Sequence, residues 1–278
     1  MIHDQPNYGL KGFSRLTSES GLFLRNSFGS LFSREFLKVL IPLLVLWELL
    51  PRLEAVPRTL VPTLTDVAAA FWDLVANKKF LVHIAYSVGK FLAGLSIAII
   101  CAIPIGILMG WNMAIRKHSL PLFQLLSPIP PPAWVPLTII LFGIGLPMQI
   151  FLIFLGAFYP ILFNTYQAIK DTDPRYLSSA RVFGASELTL IFRVYIWHAL
   201  GAIIMSVKTG VAISLVMLVI AEMYGGRSGI GYLLVEAKDF FQIPAMVVCM
   251  LVLGVIGWFS IEILKFAEFK LAIWKVGA

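Results

Sequence analysis

Charge is what this sequence has least of: 13% of its 278 residues are Asp, Glu, Lys or Arg, where a soluble domain carries about a quarter. With 59% of residues hydrophobic, the composition excludes an ordinary soluble domain and indicates an all-α membrane protein. Cysteine is nearly absent. Cys101 and Cys249 both lie within apolar runs, which excludes a disulfide framework or thiolate cluster and leaves two small buried hydrophobes. The four histidines, His3, His83, His118 and His198, are scattered near segment ends without metal spacing. No phosphate-cradling G-x-x-x-x-G-K-[ST] loop exists; the nearest fragment, Val88-Gly89-Lys90-Phe91, lacks the upstream glycine and the hydroxyl. If ATP powers this protein, another chain hydrolyses it. Paired carboxylates or an activated nucleophile on facing runs are missing too, which disfavours an intramembrane enzyme. The net charge of +7 matters less than where the charges sit, and no nucleic-acid partner is expected. No short apolar core with a small-residue cleavage site opens the chain, so residues 1–35, mixed and polar, read as a retained cytoplasmic tail.

What the sequence has in quantity is long apolar runs. A helix needs about 20 residues to cross about 30 Å of hydrocarbon, and six runs qualify: 36–53, 84–110, 119–143, 148–168, 199–223 and 244–266. Together they make residues 36–278 one transmembrane domain. The first run is short and interrupted by Pro42 and Glu48. Between the first two, residues 64–84 read as an amphipathic surface helix with Val67, Phe71, Leu74 and Val75 on one side. The third run holds Pro121, Pro128, Pro130, Pro131, Pro132 and Pro136, and so many missing amide donors predict broken backbone packed inside protein. That break is either a structural kink or irregular backbone beside a substrate path, with Pro130, Pro131 and Trp134 as its candidates. With the N-terminus inside, fourteen Lys and Arg fall in inside segments and six in outside ones, Lys90 and Lys208 lying within spans. The bias places both termini in the cytoplasm. Trp111, Trp134, Trp258 and Trp274 are read as belt anchors near span ends.

The inside segment 169–198 is too polar to span. Asp173-Pro174 is a helix start, and Tyr176, Leu177, Ala180, Phe183 and Gly184 recur at steps of three and four, followed by Leu188, Ile191 and Phe192. Such a face lies on the bilayer, packs under the chain's own spans, or enters a groove on a partner. Gly184 favours the partner, because it lets the chain bend or two backbones approach.

Ser178-Ser179-Ala180, three residues, Gly184, nine residues and Val194-Tyr195-Ile196-Trp197 resemble the coupling motif of ATP-binding-cassette importer permeases, with Ser178 where Glu is usual and Trp197 where Pro is usual. SPIPPPAWVPLTIILFGIG (127–145), AEMYGGRSGIGYLL (221–234) and PRTLVPTLTDVAAAFWDL are similar to stretches of the branch serving nitrate, bicarbonate, aliphatic sulfonates and taurine. The resemblance covers about residues 60–266. It implies a type I importer-like permease fold in a bacterial inner membrane, dimerising around a central pathway. It also implies cytoplasmic nucleotide-binding ATPase subunits docked through Ser178, Ser179, Ala180, Phe183, Gly184, Leu188 and Val194. ATP and Mg would then be held by that partner, with no cofactor on this chain, and a soluble substrate-binding protein would dock outside. An extra stretch before the second span, common in nitrate and bicarbonate permeases, is not evident, which leans the cargo toward sulfonates. The rival reading is a self-sufficient secondary transporter or channel for a small anion.

Ionisable residues inside spans are expensive, about 2.5–3.5 kcal/mol each at the bilayer centre. Lys208, counted about ten residues into the fifth run, reads near midplane, either facing the path as a cation for an anion or pairing with carbonyls or snorkelling. Glu222 at the outer end of that run is a candidate gate, or a cap or partner for outer-loop Arg227. Lys90 is expected to snorkel. The glycine-rich 225–231 segment is either a connector or part of a docking face.

Overall fold

The structure, a computed structural model, describes residues 34–54, 56–57, 60–77 and 80–272. The expected tail, apart from its last two residues, lies outside these, as do His3 and Trp274.

Among the described residues the chain forms helices α1 (Arg34–Arg52), α2 (Leu64–Asn77), α3 (Phe80–Trp111), α4 (Met113–Leu126), α5 (Val135–Phe142), α6 (Leu146–Lys170), α7 (Pro174–Val182), α8 (Glu187–Gly225), α9 (Ile230–Asp239) and α10 (Ile243–Ala272). α3, α6, α8 and α10 are long and apolar enough to cross a bilayer, and α4 with α5 adds a fifth span if the bent pair counts as one. The expected sixth span is a helix of 19 residues, but α1 carries Glu35, Lys38, Glu48 and Arg52 and does not join them. Those charges have local uses. Glu48 accepts from Leu64 N at 2.7 Å and from Arg52 Nε at 2.8 Å, and Trp47 Nε1 donates to Pro62 O at 3.0 Å, so α1 fastens the start of α2. There Thr63 and Asp66 cap reciprocally, each backbone amide donating to the other's side chain at 3.1 Å.

The third run breaks where its prolines cluster. α4 and the segment from Pro131 to Phe142 lie at 87°, joined through Ser127–Pro130 and a 3-10 turn at Pro131–Trp134. Pro has no amide to donate, so the chain takes the tighter turn where those donors would be unpaired anyway.

α6 is the central helix, flanked by α3 and α8, and both approaches run through small residues. On α3, Gly94, Ala98, Ala102, Gly106 and Gly110 recur every fourth position. A Cβ at Gly94 would stand 2.6 Å from Ile153, and one at Gly106 2.9 Å from the Leu162 carbonyl. On α8, Gly210 repeats the device against Ala157 and Ile161, and Ser214 lies against Gly156. Lipid gives no hydrophobic drive to hold apolar helices together, so close backbone approach and dispersion contact must do it. Phe91, Leu95, Met109, Ile153, Phe158, Ile161, Leu162 and Val211 fill the resulting core. A second cluster joins α2, α9 and α10 through Val67, Leu74, Leu233, Leu234, Val248 and Cys249. Trp258 falls midway along α10 rather than near a span end.

Candidate coupling surface and buried polar knot

At one end of the bundle, α7 begins as its sequence dictates: Asp173 Oδ1 accepts from Arg175 N at 2.8 Å and Pro174 takes the first helical position. The helix ends at Val182, earlier than the expected run through Gly184. Gly184 has φ +78°, its amide donates to Arg181 O at 2.9 Å, and Ala185 N reaches back to Ala180 O at 3.1 Å. This is a left-handed helix stop, for which glycine is suited. Ser186 caps the next helix by accepting from Thr189 N at 3.3 Å.

The stop throws a ridge of apolar side chains outward: Phe183 is 90% exposed, Val182 84%, Leu188 68% and Phe192 63%. Ser178 and Ser179 are also exposed, Ala180 and Val194 half-buried. The ridge is braced on its polar side. Arg181 pairs with Glu187 at 3.1 Å, and Trp111 Nε1 donates to the same carboxylate at 3.2 Å, tying the segment to the end of α3. From Glu187 the chain continues without interruption for 39 residues to Gly225. Residues Ile191–Tyr195 form a π-helical turn, an insertion that polarity and spacing did not reveal. α8 thus carries the projecting segment at one end and the glycine-rich loop from Gly226 to Gly229 at the other.

At that far end, Glu222 is 1% exposed and belongs to a buried polar knot. Ser87 Oγ lies 2.8 and 2.9 Å from its two oxygens. Lys90 Nζ donates to Oε1 at 3.0 Å and to Ser228 O at 2.6 Å, and Gly231 N donates to Oε2 at 2.8 Å. Ser87 Oγ in turn accepts from Ile230 N at 2.8 Å, and His83 Nδ1 accepts from Gly229 N at 3.1 Å. Gly229 has φ +118°, and a Cβ there would overlap the Glu222 carboxylate. Two expectations are corrected here. Lys90 does not snorkel; it is 5% exposed and paired. Glu222 pairs with Lys90, not with exposed Arg227, because the carboxylate lies inward against α3. Enclosed in this way, Glu222 holds the Gly226–Gly231 segment and lines no open surface.

Lys208 makes an ion pair with Glu268 near the C-terminal end of α10, a partner that sequence reasoning missed. Thr209 and Met205 beside it line a cleft of about 530 Å³ with Asn164, Gln167 and Asp171 at the end of α6. The cleft and Glu268 place Lys208 toward the C-terminal ends of α6 and α10, while along α8, which begins at Glu187 rather than near 199, it lies near the middle, about 32 Å from Glu187 and about 21 Å from Glu222. Pro130 is exposed, and Pro131 and Trp134 are half-buried at the α4–α5 bend. Among the described residues no group of three or more His, Cys, Asp or Glu has the arrangement of a metal site.

Four helices long and apolar enough to cross a bilayer, with an apolar ridge exposed at one end, are the marks of a multi-pass membrane protein with a candidate docking surface. A family model described as binding-protein-dependent transport system inner membrane component matches residues 102–267, and the chain belongs to that family. It is an ATP-binding-cassette importer permease, a transport subunit and not an enzyme, working with a separate ATPase subunit and a substrate-binding protein. A putative ABC transporter permease of Methanocaldococcus jannaschii is 32% identical over 252 residues, covering 86% of this chain and 92% of the relative. The putative aliphatic sulfonates transport permease of Escherichia coli is 30% identical over 218 residues (77% and 82%), and the nitrate import permease of Synechocystis is 28% identical over 232 (81% and 84%). Among solved structures, the MetNI methionine ABC transporter in an inward-facing conformation aligns with a TM-score of 0.56 at 16% identity, over 66% of this chain and 90% of that one, showing a shared fold.

Proposed function

We propose that two copies of this chain form the translocation unit of an importer for a small anion of the sulfonate, taurine or nitrate class. The ATPase subunit, which holds ATP and Mg, receives the ridge of Val182, Phe183 and Leu188, with Ser178, Ser179, Ala180, Gly184 and Val194 shaping the contact. The observation that carries this reading is the exposure of Phe183 at 90% on a segment with a polar brace. A side chain left so open beside Arg181 and Glu187 suits a groove on a folded partner, since its neighbours are charged. Both termini face the cytoplasm of a bacterial inner membrane, as the distribution of Lys and Arg supports. The broken backbone at Pro130, Pro131 and Trp134 lines the route, with Lys208 near its inner end. Nucleotide-driven closure of two ATPase subunits moves the two docked segments, and the route opens alternately to either side.

The test is Phe183→Asp. A carboxylate in an apolar groove costs several kcal/mol, so the variant should insert at wild-type level yet lose co-purification with the ATPase subunit and lose uptake. Wild-type co-purification overturns the assigned docking residue. Uptake by this chain with no ATPase subunit present would instead favour a secondary transporter.

A further inference from the structure

Each partner in the Ser87–Lys90–Glu222 knot spends its hydrogen-bonding capacity on the segment from Gly226 to Gly231. Glu222 holds Gly231 N, Lys90 holds Ser228 O, and Ser87 holds Ile230 N. Two of these residues come from α3 and one from α8, so the loop is fixed to both helices at once. A buried ion pair that merely added stability would be an expensive choice, because apolar residues of the same volume serve as well or better. What a charged pair adds is discrimination between arrangements: once the loop lifts, the carboxylate and ammonium lose bonds together, and intermediate positions are disfavoured. The same α8 carries the coupling ridge about 50 Å away at its other end. Between them it is locked on α6, where a Cβ at Gly156 would meet Met217 at 2.8 Å and one at Gly210 would meet Ile161 at 3.0 Å. A helix without lateral slack passes movement along its axis, and the π turn at Ile191–Tyr195 marks where its pitch changes at the driven end.

We propose that Ser87, Lys90 and Glu222 are positioning residues that clamp the outer loop to α3 and α8, so that engagement of the binding protein outside is transmitted along α8 to the ATPase subunit. The inference rests on the importer reading above and names the residues through which the outer face controls hydrolysis.

The experiment uses the complete transporter in proteoliposomes, with hydrolysis measured with and without its binding protein carrying whichever of taurine, ethanesulfonate or nitrate it binds. Lys90→Met leaves the Glu222 carboxylate buried and unpaired and should lower the yield of assembled complex; the complex that does assemble should keep its basal hydrolysis and show an increment from the binding protein cut to under one-tenth. Adding Glu222→Gln should restore at least half of it, because the amide still accepts from Ser87 and Gly231 and needs no counter-charge. Ser87→Ala, smaller by a single oxygen, should reduce the increment two- to fivefold and serves if Lys90→Met does not assemble. A full increment in Lys90→Met or Ser87→Ala, a proportional fall in both rates, or a double variant no better than the single one overturns the proposal. If the wild-type complex ignores the binding protein, the importer reading fails first and the clamp falls with it; the variants, read only against a responsive wild type, separate the two failures.

Discussion

Two glycines with positive φ sit at opposite ends of α8 and differ in what surrounds them. Gly184, at φ +78°, has open space where a Cβ would go, whereas Gly229, at φ +118°, has the Glu222 carboxylate there. Alanine at 184 therefore meets only the left-handed backbone penalty, about 1–2 kcal/mol, confined to a surface segment. At 229 the same change must also displace a buried ion pair. Gly184→Ala should leave the yield of monodisperse detergent-solubilised protein near wild type, and Gly229→Ala should lower it severalfold, as read by size-exclusion chromatography. Equal yields would mean the knot gives way cheaply. The bend at Gly184 was legible only in part: the glycine signalled that the chain could turn there, yet the amphipathic run was expected to continue through it, two residues past the observed end at Val182. The partnership of Lys90 with Glu222 was not legible: 132 residues separate them, and no periodicity links a lysine on one helix to a carboxylate on another. The nearer Arg227 offered itself as partner on proximity alone, and the outcome turned on which way α8 faces.

At the level of whole helices, sequence and structure agree best where backbone chemistry is local. The proline cluster foretold the α4–α5 break, and Asp173-Pro174 foretold the start of α7. The span count agreed less well, because α1 is apolar enough to attract the eye yet carries charges used to hold α2. The stripe of small residues at every fourth position on α3, from Gly94 to Gly110, was written in the sequence and went unread, because small residues carry little hydropathy signal. Its consequence is severe. Gly106 faces the Leu162 carbonyl and Thr165, and a Cβ would stand 2.9 Å from each; main chain in the middle of a helix cannot move aside as a flexible side chain can. Gly106→Leu should thus cost more than the about 1–3 kcal/mol usual for overpacking and halve, or worse, the folded yield measured by fluorescence-detected chromatography. Gly254→Leu on α10, where nothing lies within 4 Å, is the matched control and should match wild type.

For the molecule as the proposed carrier of anions, the decisive feature is that Lys90 and Lys208, which lie well inside α3 and α8, are already neutralised, Lys90 by Glu222 and Lys208 by Glu268. An anion crossing near Lys208 would have to compete with a carboxylate held in contact, and a paired ammonium exerts little net field. The chain's selectivity for cargo then cannot come from a buried positive charge, which fits a division of labour in which a separate binding protein chooses the substrate. Lys208→Gln tests this directly. The side chain at Glu268 is 34% exposed, so water can solvate the carboxylate left behind and assembly should be little affected. Uptake by the complete transporter should keep its KM for the anion within about twofold, with any loss confined to the maximal rate. A tenfold rise in KM would place the ammonium on the cargo and make Lys208 a binding group of the route, whereas an unchanged KM leaves it as the brace that ties the C-terminal end of α10 to the middle of α8.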